Sequence, residues 1–198
     1  METTLPILAE AAALTSTEGR KRQDQSKKRP RVHEKIQNFF RDMSSGVISP
    51  ILRLKINRSL CNFQCEHCCE EPYMSRDLLK KTGSIDPRRQ MTIEDYAELS
   101  RQADEYGIFR FVLTGGEAVL DKNLGDLIEA LDPMKHLIIL DTNAWFFDKK
   151  KAQWFADIGG YKAQISLDSY VEEEHDAFRK KPGSYKRVIK SIKASKDA

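Results

Sequence analysis

Four cysteines fall between Cys61 and Cys69 of a 198-residue chain, and none lies elsewhere. Thiols crowded onto one loop cannot staple distant parts of a fold, because a disulfide stabilises by closing a long stretch of chain. They suit metal ligation in a reducing compartment instead. The fold must therefore come from a hydrophobic core, and 40% hydrophobic residues are enough to bury one in a chain of this length. One globular domain is expected.

Charge excludes little: 33 Lys and Arg against 30 Asp and Glu leave a net +3, too small to mark a nucleic-acid or membrane partner. Residues 1–31 read as a flexible basic leader, since Gly19 to Arg31 is polar, has no apolar period and offers no aromatic platform for stacking on bases. The apolar stretch Leu5 to Leu14 is broken by Pro6 and Glu10 and has no basic residues before it, so it resembles neither a secretory signal nor a membrane span. A cytoplasmic protein is expected. Residues 32–50 form an N-terminal helix and a connection, with Val32, Ile36, Phe39 and Phe40 on one face of a helix from Val32 to Met43.

From residue 51 to 198 short apolar runs alternate with helical periods, the pattern of βα units around a parallel sheet. Strands are expected at Ile51–Ile56, Phe109–Leu113, Leu137–Leu140 and Ala163–Leu167. Helices are expected at Thr92–Tyr106, about Asn123–Leu131, from Asp148 to about Ile158, and from about Ser184 to Ser195. Thr92 and Asp148 are suited to N-caps, and Gly107 to a left-handed C-terminal residue. The four units predict a curved parallel sheet with all strand C-termini on one ligand-binding edge.

The chemistry concentrates after the strands. Cys61, Cys65 and Cys68 make a C-x3-C-x2-C run directly after the first strand. Three thiolates suit soft metals, and three ligands rather than four leave one iron of a cubane cluster open. The competing reading is a structural zinc site, which wants four closing ligands; no second pair is present, and His33, His136 and His175 are scattered. Cys69 is a bystander in the iron–sulfur reading.

After the second strand, Thr114-Gly115-Gly116-Glu117 lets backbone approach a ligand closely and brings a carboxylate suited to an ammonium group. A tight strand-to-helix turn explains the same residues. Ser166 and Asp168 alternate with apolar neighbours on the fourth strand, where a ribose would satisfy them and Arg179 would fork a carboxylate. A polar strand end capping the next helix is the alternative. Asp141-Thr-Asn143 ends the third strand on the same edge, where it would line the site, and a helix-entry loop explains the same residues.

The cysteine spacing, the GGE turn and the fourth-strand string together resemble the radical SAM superfamily, in particular its sulfatase-maturating and peptide-modifying members. The resemblance covers about Leu52 to the end of the chain. It implies a partial (βα)6 barrel, α/β in class, about four of whose units are present, so that the chain reads as truncated or completed by a partner. It implies a [4Fe-4S] cluster on Cys61, Cys65 and Cys68, with S-adenosylmethionine (SAM) held by Gly115, Gly116, Glu117, Ser166, Asp168 and Arg179. His67 stands where the family has an aromatic residue, beside the adenine; Ala118 stands where many members have proline. The implied activity is reductive cleavage of SAM to a 5′-deoxyadenosyl radical that takes hydrogen from a small-molecule or peptide substrate. The implied electron donor is a flavodoxin or ferredoxin. A non-catalytic iron–sulfur electron-transfer or scaffold module and a zinc-stabilised interaction protein are the alternatives.

Overall fold

The computed structural model describes residues 29–44, 51–57, 60–68 and 91–197. Cys69, the leader up to residue 28 and the charged stretch ending at Gln90 lie outside the described residues. Helix α1 (Pro30–Ser44) starts ahead of the expected Val32. Proline suits a first helical turn, where its missing N–H has no partner to lose. Arg31 pairs with Glu34 and Asp104, and the Arg29 guanidinium donates to the Gly159 carbonyl at 2.9 Å.

The strands β1 (Leu52–Lys55), β2 (Arg110–Thr114), β3 (Leu137–Thr142) and β4 (Lys162–Ile165) pair in that order, all parallel. Helices α2 (Ile93–Glu105), α3 (Leu124–Ala130) and α4 (Lys149–Asp157) fall between them, and α5 (Glu172–Arg179) and α6 (Ser184–Asp197) follow β4. This is the expected βα series. Local chemistry sets most boundaries. Thr92 and Asp95 close a capping box on α2, Asp148 accepts from the Lys151 N–H at the start of α4, and Gly107 takes φ +71° after α2.

Two elements differ from expectation. Strand β4 stops at Ile165, because β3 ends at Thr142 and the Ser166 N–H makes the last rung to the Thr142 carbonyl at 3.1 Å. Ser166 and Asp168 therefore stand on the loop beyond the strand rather than alternating along it. Helix α5 was not anticipated from the sequence, although Glu172, Glu173 and Glu174 suit its positive N-terminal end.

The register separates the sheet's two faces. Phe111 pairs with Ile138 and Leu113 with Leu140, and these side chains are fully buried with Leu127, Ile128 and Leu131 of the helical layer. On the opposite face Lys55 is level with Thr114, and Asp141 with Gln164, so this face is polar toward the strand C-termini. Alternation of side chains across a strand makes one sheet both a core wall and a site wall. Helix α1 sits at the other end of the strands, where Val32 packs with Phe109 and Leu137. The buried Lys35 ammonium reaches the carbonyls of Ile108 and Lys135 at 3.2 and 2.9 Å, and Asp104 at 2.6 Å. No helix among the described residues is long and apolar enough to cross a membrane.

His136 is fully buried between the carbonyls of Ile108 (3.0 Å) and Ser100 (3.2 Å). Two carbonyls favour the imidazolium, but burial and the nearby Lys35 ammonium outweigh them and push the ring from 6.5 down to about 4. The unfolded chain therefore binds the extra proton first as pH falls. Folding stability is expected to be complete above pH 6.5 and to drop by about 3 kcal/mol as the pH falls to about 4. Urea unfolding at stepped pH checks this, with His136→Gln flattening the slope in that window.

Candidate functional site

All the strand C-termini open on one edge, and the loops that follow them enclose a cavity of about 470 Å³. Cys61, His67, Cys65 and Cys68 line it from the loop after β1, and Gly115, Gly116 and Glu117 from the turn after β2. Ser166 and Arg179 complete the wall. Of the residues expected at the site, Asp168 alone is not on the cavity surface; it acts on Arg179 from behind.

Gly115 adopts φ +146°, which an L side chain rarely tolerates, so the first glycine of the GGE turn is required by the backbone. Asn57 holds this turn from β1. Its side-chain oxygen accepts the Gly116 N–H at 3.1 Å, and its amide nitrogen donates to the Glu117 carbonyl. The Glu117 N–H in turn donates to the Leu60 carbonyl at 2.8 Å, fixing the entry to the cysteine loop.

The Glu117 side chain is only 2% exposed. Its Oε1 accepts from the Thr142 hydroxyl (2.7 Å) and the Val119 N–H (3.2 Å), and its Oε2 from the Asn143 N–H (2.7 Å). Burial pushes the carboxyl above the ordinary carboxylate range, and the donors pull it part of the way back. A carboxylate has about four acceptor positions, so Oε2 keeps roughly one for a further donor at the cavity.

Asn143 extends this network to the cysteines. Its amide donates to the Asn62 side-chain oxygen at 2.9 Å and to the Cys61 sulfur at 3.9 Å. Cys61 is buried, Cys65 half-buried and Cys68 exposed. Burial pushes the Cys61 thiol up to about 11, with the neighbouring Glu117, Cys65 and Cys68 adding to the shift against a hydrogen bond from the Phe63 N–H. Cys65 is raised by burial too, opposed by Arg179. Such thiols ionise when a metal replaces the proton.

Helix α5 closes the loop from the far side. Its Phe178 carbonyl accepts the Glu66 N–H at 3.0 Å, and its ring stacks on His67 at 4.6 Å. Arg179, 9% exposed, forks onto Asp168 through Nε and Nη2 and donates from Nη1 to the Cys65 sulfur at 3.8 Å. The bidentate fork expected of Arg179 thus forms within the protein. Trp145 meets Phe63 edge-on at 5.7 Å and carries the Lys181 ammonium over its ring at 4.7 Å.

The donor set fits a cluster. Three thiols on one cavity wall are soft ligands, and the N–H donors at two of the sulfurs offset part of the burial that disfavours thiolate charge. Among the described residues no three His, Cys, Asp or Glu side chains converge as a single-ion site would require. A cubane spreads its ligands over three irons and does not ask sulfurs to meet at one point.

The model of the radical SAM superfamily matches residues 59–198, which include the cysteine run, the GGE turn and the Ser166 to Arg179 segment. The chain belongs to the radical SAM superfamily. Members of the superfamily bind a [4Fe-4S] cluster and SAM. A GTP 3′,8-cyclase of Pectobacterium atrosepticum is 28% identical over 148 residues, covering 74% of this chain and 42% of the relative. An AdoMet-dependent heme synthase of Oleidesulfovibrio alaskensis is 26% identical over 170 residues, covering 84% and 40%. The chain thus spans about two-fifths of the length of these relatives. Streptococcus suis SuiB bound to S-adenosylmethionine shares the fold, with a TM-score of 0.52 at 15% identity over 95% of this chain and 40% of that one.

Asn57 is a residue of this radical SAM core that no sequence motif marked, whereas Asn143 belongs to the strand-three end expected to line the site and does line it. Each follows a strand on the ligand edge, where an amide that can donate and accept ties two loops at once. That position was the available signal. Glu117→Ala is expected to leave two buried donors and one part-buried donor unpartnered and to cost roughly 3 kcal/mol in chemical denaturation. Glu117→Gln should cost less, because the amide oxygen still accepts.

Proposed function

We propose that this chain is the cluster- and SAM-binding part of a radical SAM enzyme, with Cys61, Cys65 and Cys68 as the cluster ligands. The observation that carries the reading is the convergence of these thiols with the GGE turn, Ser166 and Arg179 on one cavity at the strand C-termini. When bound, the cluster supplies the electron for reductive cleavage of SAM to a 5′-deoxyadenosyl radical.

The protein's part is placement. Gly115 and Gly116 bring backbone to the methionine end of SAM, and the free position on Glu117 Oε2 receives its ammonium. Ser166 faces the ribose. Two N–H groups of Arg179 remain beyond those spent on Asp168 and Cys65, and they meet the carboxylate. Asp168 serves SAM through Arg179, whose orientation it fixes. His67, with one face on Phe178, offers the other to the adenine.

The hydrogen donor is a small molecule or a peptide, bound with the help of residues beyond this core. The SuiB structures include one bound to its precursor peptide SuiA, and AlbA of Bacillus subtilis, 26% identical over 141 residues, is a subtilosin biosynthesis protein. A flavodoxin or ferredoxin in the cytoplasm supplies the electrons.

Anaerobic reconstitution with iron and sulfide, followed by electron paramagnetic resonance of the reduced protein, tests the reading. A reduced-cluster signal that changes when SAM is added is expected, and Cys61→Ala, Cys65→Ala and Cys68→Ala should each abolish it. A cluster indifferent to SAM favours the electron-transfer module; tightly bound zinc with no cluster favours the interaction protein.

A further inference from the structure

We propose that Arg179, clamped by Asp168, sets the reduction potential of the cluster through a charged hydrogen bond to the ligand sulfur of Cys65. The inference rests on the cluster reading above and adds to it a role for Arg179 that is independent of SAM. The Arg179 Nη1 lies 3.8 Å from the Cys65 sulfur, while Nη2 donates to Asp168 Oδ1 at 3.0 Å and Nε to Oδ2. Asp168 is itself anchored, its N–H donating to Nδ1 of the fully buried His175 at 3.3 Å. The guanidinium cannot swing away without breaking a bidentate pair. Its carboxylate partner takes the edge turned from the sulfur, so the group nearest Cys65 is a cationic N–H.

Reduction adds one electron and one unit of negative charge, spread over iron and sulfur, so donors at the ligand sulfurs favour the reduced state. Cys61 also receives a side-chain donor, the neutral amide of Asn143 at 3.9 Å. Charge-assisted hydrogen bonds are about twice as strong as neutral ones. Arg179 is also 9% exposed, which limits screening by water. Of the two side chains, Arg179 has the larger effect.

The test is a potentiometric titration of the reconstituted protein without SAM, followed by electron paramagnetic resonance. One electron passes from dithionite or Ti(III) to the cluster, and no bond or proton moves. Arg179→Gln is expected to lower the one-electron reduction constant about tenfold, which corresponds to about 59 mV. Arg179→Lys should fall between this variant and the parent. Glu174→Gln, which removes only a nearby negative charge whose oxygen accepts from the Ser169 hydroxyl at 2.7 Å, should leave the potential unchanged. A parental potential in Arg179→Gln overturns the inference.

If that variant takes up no cluster, the parent protein decides the matter: with 15N-labelled arginine, pulsed resonance of the reduced cluster should show a nitrogen coupling that is lost in Arg179→Lys. Absence of any such coupling overturns the inference. Failure of the parent to hold a cluster overturns the underlying reading and this inference with it.

Discussion

The site depends on one buried carboxylate. Desolvating Glu117 is costly unless donors meet it, and the donors come from two different places: the Val119 N–H of its own turn, and the hydroxyl and N–H at the end of β3. The same residue's main chain meets Asn57 and Leu60 at the end of β1. Three strand ends are therefore joined at one residue, and the cysteine loop hangs from that junction. Asn143 carries the connection onward to Asn62 and Cys61. A glutamate that sequence reasoning assigns to a ligand is thus also the part that makes the ligand cavity rigid.

The cysteine loop is held from both sides by different forces. Toward the sheet it is neutral amide hydrogen bonding, which suits a thiol that burial pushes up to about 11. Toward α5 it is aromatic stacking of His67 on Phe178, the Glu66 to Phe178 backbone bond and the cation at Cys65. The second side exists only because α5 packs back over the loop. A segment over a hundred residues downstream of Cys65 thereby shapes the electrostatics at its sulfur.

Much of this was legible in the residues because it is local. The three-cysteine spacing, the paired glycines and the capping residues Thr92 and Asp148 each work within a few positions of themselves, as does Gly107. The strand ends were less legible. Strand β4 was read two residues too long because Ser166-Leu-Asp168 alternates as a strand does, yet a strand lasts only as long as its neighbour's rungs. Helix α5 was hidden by its charge: Glu172 to Glu174 resemble a solvated loop until the buried His175 and Arg179 behind them are seen to share a face.

The residues by themselves determined the parallel βα order, the gathering of the cysteine loop and the GGE turn at the strand C-termini, and the soft-donor character of that loop, because these follow from periodicity, turn chemistry and donor type. Only the tertiary structure decided the pairings: that Arg179 forks Asp168 and reaches Cys65, that Glu117 ties β2 to β3, that Asn57 holds the GGE turn and that Asn143 reaches Cys61. Side-chain pairs separated by 11, 25 and 114 positions depend on how the chain closes in space, and no local pattern encodes that closure.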